Sequence, residues 1–223
     1  DTMWTVYVTL ADEPKQPASL PHIYPEGDPT RSATVTVKVV PHKAKVVESG
    51  KTTYLDDLSR TLTADDGSMQ ITLLADIEIG AYSDPLTLRG GSPITLDLGG
   101  HSIAYVCIGE DIYDENYGTI GYNSSNVTGV GVGSIKNLEL AVGTIRVSGG
   151  TVNNLICFSS YEQEGMSHGD VFIEGGTLNG NLSVSKGNYN VTVSGGTGHK
   201  VQIFCDAIET KITGGGFENL SLV

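Results

Sequence analysis

A unit of about twenty residues repeats through the C-terminal half of the chain, and few folds can accommodate it. Each copy contains a β-branched residue, a polar residue, a Gly-Gly pair and, in three copies, threonine. The spacings between successive glycine pairs are 26, 20 and 19 residues. The pairs lie at 149–150, 175–176, 195–196 and 214–215. Short strands that end at glycine corners at a nearly constant interval predict a chain that turns the same way repeatedly.

Such short strands cannot bury their apolar side chains alone, and stacking successive turns of the chain solves this problem. Each strand then pairs in parallel with its copy in the next turn, about 4.8 Å away, and the inward residues form one column. Glycine allows the sharp corners that this path needs. The repeat therefore predicts an all-β fold, a parallel β-helix. The alternative is an antiparallel sandwich with glycine-rich hairpins, which gives no reason for a fixed interval.

The coils are expected to occupy residues 71–223, which at about twenty residues each make about six coils. Residues 52–67 carry Leu55, Leu58 and Leu62 at spacings of three and four, the pattern of an apolar stripe on a short helix. Because the open end of a stack of strands must be covered, we expect this helix to cap the first coil. Nothing comparable follows at the C-terminal end. We therefore expect the sequence to be part of a longer chain, or another molecule to cover that edge.

The N-terminal residues differ from the rest and are expected to form a separate β appendage over 1–45, with the β-helix domain over 46–223. Segments 3–10 and 33–40 alternate apolar and polar residues, which predicts two strands. Between them, residues 11–32 contain five of the eight prolines, which predicts a long extended loop.

The charge balance excludes some partners. The chain contains 13 Lys and Arg residues and 26 Asp and Glu residues, which gives a net charge of −13. Sequence-independent binding to nucleic acid or to anionic lipid needs an excess of positive charge instead. No apolar run approaches the ~20 residues that span a bilayer, so no membrane insertion is expected.

Cys107, Cys157 and Cys205 are expected to remain thiols. Cys157 and Cys205 fall two coils apart, about 10 Å, which is too far for a disulfide.

Two segments resemble the start of a known kind of β-helix. Leu-Leu-x-Asp-Ile at 73–77 and Leu-Asp-Leu-x-Gly-His-x-Ile at 96–103 are similar to the pectate-lyase-like right-handed β-helix modules of secreted and surface-anchored proteins of gut bacteria. The resemblance covers residues 44–223. It implies a right-handed helix, an extracellular or cell-surface location, and a role as an adhesin or a carbohydrate-binding stalk.

Two insertions interrupt the coils, and function on such a scaffold usually lies in its loops. The first insertion, 109–126, and the second insertion, 159–170, both combine carboxylates with tyrosines. Tyrosine rings stack on sugars and carboxylates accept hydrogen bonds from hydroxyl groups, so a groove between the insertions is a candidate carbohydrate site. Its candidate ligand-binding residues are Tyr113, Tyr117, Tyr122, Tyr161, Glu162, Glu164 and His168.

Clustered carboxylates also suit Ca²⁺, which prefers six to eight oxygen ligands. The candidate metal ligands are Glu110, Asp111, Asp114 and Glu115. Their spacing does not match an EF-hand loop, and the alternative is that both insertions are solvated acidic loops without a ligand. Apart from this candidate calcium site, no cofactor is expected.

The sequence lacks the signatures of the enzymes that share this fold, namely the Arg-x-Pro-x-x-Arg pattern of polysaccharide lyases and the Gly-His-Gly pattern of polygalacturonases. Asp114 and Glu162 are carboxylates that could pair for glycoside hydrolysis. His101 is expected to be a turn or core residue. The favoured interpretation is a noncatalytic surface module that binds a glycan or another host-surface ligand. The alternatives are a polysaccharide lyase or glycoside hydrolase with an unrecognised site, and a receptor-binding spike of a phage or toxin.

Overall fold

The computed structural model describes residues 4–10, 35–58, 60–78, 85–116, 118–123, 125–130, 132–158, 168–186, 189–205 and 209–222. Within them the chain is all-β, and no helix occurs. The chain divides into two units, 1–42 and 43–223.

The first unit contains an antiparallel pair of strands, β1 (Trp4–Leu10) and β2 (Val35–Pro41). Their register runs from Trp4 opposite Pro41 to Leu10 opposite Val35. The strands lie where the alternation of apolar and polar residues predicts them. The proline-rich connection at 11–32 lies outside the described residues.

The second unit is built from short strands. They are β3 (Ala44–Glu48), β4 (Lys51–Leu55), β5 (Thr61–Thr63), β6 (Met69–Leu73), β7 (Leu86–Asp97), β8 (Ser102–Ile108), β9 (Glu110–Asp114), β10 (Gly118–Asn123), β11 (Ser125–Val130), β12 (Ser134–Leu140), β13 (Gly143–Val147), β14 (Thr151–Phe158), β15 (Gly169–Ile173), β16 (Thr177–Leu178), β17 (Leu182–Lys186), β18 (Tyr189–Val193), β19 (Thr197–Cys205), β20 (Glu209–Ile212) and β21 (Gly216–Leu222).

Parallel pairing arranges most of these strands into two columns that the chain enters alternately. The first column contains β6, the second half of β7, β11, β13, β15, β18 and β20. The second column contains β5, the first half of β7, β8, β12, β14, β16 with β17, β19 and β21. β7 belongs to both columns because its partners change between Arg89 and Gly90. The unit is therefore predominantly parallel, as the repeat predicts, and is not an antiparallel sandwich.

The glycine corners of the repeat are stacked one above the other between the two columns. Each corner is joined to the next by a backbone hydrogen bond. These bonds run from Thr177 N to Gly150 O (2.8 Å), from Thr197 N to Gly176 O (2.9 Å) and from Gly216 N to Gly196 O (2.9 Å). The corners of the four glycine pairs therefore lie one above the other.

The inward positions of the strands form a continuous apolar interior. In the first column, Ile145, Val171 and Val191 are paired in register and fully or almost fully buried. Burial of each such side chain stabilises the fold by about 1.5–3 kcal/mol. In the neighbouring inward row, Val193 is 2% exposed, whereas its partner Ile212 on the last strand of this column is 39% exposed.

Outward positions carry polar side chains that hydrogen-bond from one strand to the next. Asn154 donates to the side chain of Asn137 (3.0 Å), and Asn190 donates to Asp170 (2.8 Å). These contacts join neighbouring strands in register, so the exterior as well as the interior specifies how the strands are stacked.

The predicted capping helix over 52–67 is wrong, because strands β4 and β5 lie in this range. Thr52, Thr53 and Tyr54 favour an extended chain, and this preference outweighs the spacing of the leucines. β4 pairs antiparallel with β3, which pairs antiparallel with β6. A hairpin with a turn at Ser49–Gly50 therefore covers the N-terminal edge of the first column, and Leu58, in the segment after β4, is fully buried in the core.

The two cysteines whose side chains the structure describes, Cys107 and Cys157, are free thiols. The Cys107 thiol donates to the carbonyl of Gly109 (3.5 Å), and Cys157 is a free, fully buried thiol. Burial raises the pKa of Cys157, and the negative charge of Glu139 raises it further. Val184 pairs with Cys157 on one side and with Cys205 on the other, so these cysteines are two strands apart, about 10 Å, beyond the reach of a disulfide. The side chain of Cys205 lies outside the described residues.

Candidate functional site

Both insertions leave the stack at the same corner. The first follows β8 and the second follows β14, and between these strands lies β12, which a short turn at 141–142 joins to β13. Leu140 at the end of β12 pairs with Ile108 of β8 and with Cys157 of β14. Where the chain returns, β11, β13 and β15 are paired in the same order. The insertions are therefore two strand spacings apart, about 10 Å, and one short turn lies between them.

The first insertion is an antiparallel hairpin formed by β9 and β10. Glu110, the first residue of this hairpin, is held by Arg89 of the second column. The Arg89 guanidinium pairs with the Glu110 carboxylate, and its Nε donates to Thr63 Oγ1 (3.0 Å). Both partners of the ion pair are half-buried, so the base of the hairpin is fixed to the stack.

Most of the candidate ligand-binding side chains lie outside the described residues. Tyr113 and Tyr122 belong to the hairpin strands, where their backbones pair with Thr119 and Asp111, but nothing beyond the backbone is described for them. The others in this group are Tyr117, Tyr161, Glu162 and Glu164. Their role in binding stays a prediction.

His168 does not line an open groove. Its side chain is only 4% exposed, and its ring centroid lies 5.9 Å from that of the fully buried Tyr189. Its carbonyl accepts a hydrogen bond from Gly143 N (2.9 Å). Because β15 of the first column begins at the next residue, Gly169, the chain has already returned to the core at His168. The residue belongs to the packing of the corner.

The candidate calcium ligands are only partly described. Glu110 is paired with Arg89, and Glu115 is exposed at the tip of the hairpin. The side chains of Asp111 and Asp114 lie outside the described residues. Among the residues that the structure does describe, no group of three or more His, Cys, Asp or Glu is placed to hold a metal ion. The hydrolytic pair Asp114 and Glu162 is likewise outside the described side chains.

His101 is a turn residue, as predicted, and it lies beside a carboxylate. Its Nδ1 is 3.6 Å from Asp76 Oδ1, which also accepts a hydrogen bond from Ser102 N (2.8 Å). The backbone and hydroxyl hydrogen bonds from Ser102 lower the pKa of Asp76, and the nearby His101 lowers it further. The ionised carboxylate therefore joins the segment that follows β6 to the first residue of β8.

The Asp76 contact predicts a pH dependence of stability. Because the folded-state pKa of Asp76 is lowered below its ordinary value of 3.8, its contribution is complete at neutral pH and is lost as pH falls through the lowered pKa. Asp76→Asn should be less stable than the parent protein at neutral pH, and the difference should vanish in strong acid. Urea unfolding from neutral pH to about pH 2 measures this.

Ser102→Ala is the matched control for this prediction, because it removes the hydroxyl donor and keeps the backbone donor to Asp76. It should retain part of the pH dependence. Equal stability of Asp76→Asn and the parent protein at every pH would show that water satisfies the carboxylate equally well.

Comparison with protein-family models, curated proteins and solved structures finds no match to this chain. In the described part of the chain, no helix has the length and hydrophobicity that crossing a bilayer requires.

The structure contains a groove that the sequence analysis did not single out. It lies on the outward face of the second column, and its charged residues are Glu78 and Lys136. The sequence indicates part of this groove, because Ala104, Lys136 and Asn153 each follow an apolar residue at the same position in successive turns of the chain. The sequence did not reveal that Glu78 lies next to Ala104 and so belongs to the same set of outward residues.

Proposed function

We propose that residues 43–223 form a right-handed parallel β-helix that serves as a noncatalytic stalk or adhesin module at a bacterial surface and binds carbohydrate through its two insertions. The observation that carries the proposal is the common corner from which both insertions leave, about 10 Å apart. Two insertions on one side of a stack can form the opposite walls of a single groove.

The strand order supports the β-helix. The chain alternates between two columns of parallel strands, and every described corner of the repeat lies above the previous one. Parallel strands joined by crossovers within one sheet are overwhelmingly right-handed, which agrees with the resemblance noted in the sequence.

The residues of the insertions support carbohydrate as the ligand class. A sugar ring offers an apolar face to an aromatic side chain and hydroxyl groups to carboxylates. Tyr113 and Tyr122 belong to the hairpin, and Tyr161 with Glu162 belongs to the second insertion. The hairpin is fixed at its base by the pair of Arg89 and Glu110, so its position requires little ordering on binding.

A glycan array tests this proposal, followed by titration of any bound glycan with Tyr113→Ala, Tyr117→Ala and Tyr161→Ala. Each substitution should weaken binding about tenfold or more, which corresponds to about 1.4 kcal/mol. Tyr54→Ala in β4, at the far end of the first column, is the control and should bind like the parent protein. Unchanged affinity in all three insertion variants, with circular dichroism like that of the parent, would remove the insertions from the binding site.

A further inference from the structure

An open groove of about 470 Å³ lies on the outward face of the second column, away from the corner of the insertions. Its volume falls within the ~300–1,000 Å³ range that is typical of small-molecule sites. The polar and small residues that line it are Glu78, Ser102, Ala104, Ser134, Lys136 and Asn153.

The stacking of the strands explains why these residues meet. Ile103 of β8 pairs with Ile135 of β12, which pairs with Val152 of β14, and Ile77 forms a parallel bridge to Ile103 on the other side. The residue that follows each of these apolar residues therefore lies in one outward row. In order, the row reads Glu78, Ala104, Lys136, Asn153.

Ala104 separates the two charged residues of the row. Glu78 and Lys136 are two strand spacings apart, about 10 Å at the backbone, and only a methyl group lies between them. The groove is therefore the gap that Ala104 leaves between a carboxylate and an ammonium group. Neither Glu78 nor Lys136 is in an ion pair with any residue that the structure describes.

The lining favours one class of ligand. No aromatic ring is among the described residues that line the groove, so a sugar ring has no stacking surface here. A groove with a carboxylate at one end and an ammonium group at the other complements a molecule that carries both charges. The Ser134 hydroxyl and the Asn153 amide can satisfy its remaining polar atoms.

We propose that this groove binds a small zwitterion, of the chemical class of free amino acids. Its ammonium group lies at Glu78, its carboxylate lies at Lys136, and its carbon chain lies over Ala104. This site does not depend on the carbohydrate site of the insertions, because it uses other residues on another face.

A series of unbranched ω-amino acids, from glycine to 6-aminohexanoate, measures the spacing of the two charges. NMR titration of the full 223-residue chain should give the tightest binding at one chain length, with dissociation constants on the order of millimolar for so open a site. Hexanoate and hexylamine, which carry one charge each, should bind more weakly by about tenfold or more, since each loses one charged contact. Equal shifts with the singly charged compounds, or none with any member of the series, would overturn the proposal.

Variants of the row identify the site. Glu78→Gln and Lys136→Gln should each weaken binding of the best ω-amino acid about tenfold, and Lys211→Gln on exposed β20 should not. The exchange Glu78→Lys with Lys136→Glu should recover binding, because the ligand can bind in the reverse orientation. Ala104→Leu fills the gap and should abolish binding. Unchanged binding in both charge-neutralising variants excludes this groove, whether or not the leucine variant folds.

Discussion

Gly143→Ala is expected to lower the free energy of unfolding by about 3–5 kcal/mol. Two causes act together. Gly143 has a φ of 122°, a conformation that alanine rarely adopts. A Cβ at this position would also overlap the backbone of Ser125 in the neighbouring strand β11, which cannot move without breaking its own pairing.

Three further glycines separate these two causes. Gly169 has no positive φ, but a Cβ there would overlap the backbone of Gly143, so Gly169→Ala measures the overlap alone. Gly100 has a φ of 87° and open space where a Cβ would lie, so Gly100→Ala measures the backbone conformation alone and should cost about 1–2 kcal/mol. Gly91 has neither feature, and Gly91→Ala should change stability by less than about 0.5 kcal/mol.

Chemical denaturation of the four variants gives the comparison. The order of stability should be Gly91→Ala, then Gly100→Ala, then Gly169→Ala and Gly143→Ala. If Gly169→Ala and Gly91→Ala were equally stable, the strands at this corner would not be in close contact, and the stacking of β11, β13 and β15 would be incorrect.

The repeat predicts the architecture well because its signal is local and periodic. A glycine pair every twenty residues or so can be recognised without knowing the fold, and the stacked corners follow from it. The capping segment had no such repeat to guide its interpretation. Leu55, Leu58 and Leu62 fit a helical period, and only the pairing of β4 with β3 shows that the segment is extended.

The residues at the corners are harder to assign from sequence. His168 stands in an acidic insertion and looks exposed there, but the chain has already returned to the stack when it reaches this residue. Glu78 is one charged residue among many until the bridge of Ile77 to Ile103 places it at the end of the row with Lys136. In both cases the deciding fact is the register of strands that are distant in sequence, which no local pattern contains.

Tyr189→Ala is expected to lower the free energy of unfolding by about 3–5 kcal/mol, and Tyr189→Phe by about 1–2 kcal/mol. Tyr189 starts β18 and is fully buried. Its hydroxyl donates at the turn between β12 and β13, where the carbonyls of Leu140 (3.2 Å) and Ala141 accept. The alanine variant leaves a cavity, whereas the phenylalanine variant keeps the ring and removes only the donor to buried carbonyls.

Tyr189 lies in the same row of the first column as the glycines Gly143 and Gly169. Tyr189 pairs with Gly169, and Gly169 pairs with Gly143, so the ring stands above two positions that have no side chain. Its hydroxyl reaches the turn beside the lower of these glycines, and the tyrosine thereby ties together strands that lie two spacings apart. The two glycines of this row carry no side chain, and this leaves space for the tyrosine ring.

Thr192→Ala is the control, because Thr192 lies on the same strand at a half-buried outward position, and it should change stability by less than about 0.5 kcal/mol. Hydrogen exchange gives the local measurement. In Tyr189→Phe the amides of the turn and of Gly143, which donates to the His168 carbonyl, should exchange faster than in the parent protein, while those of β20 should not. If Tyr189→Phe matched the parent in both stability and exchange at the turn, the hydroxyl would contribute nothing, and shape alone would explain why a tyrosine fills this corner.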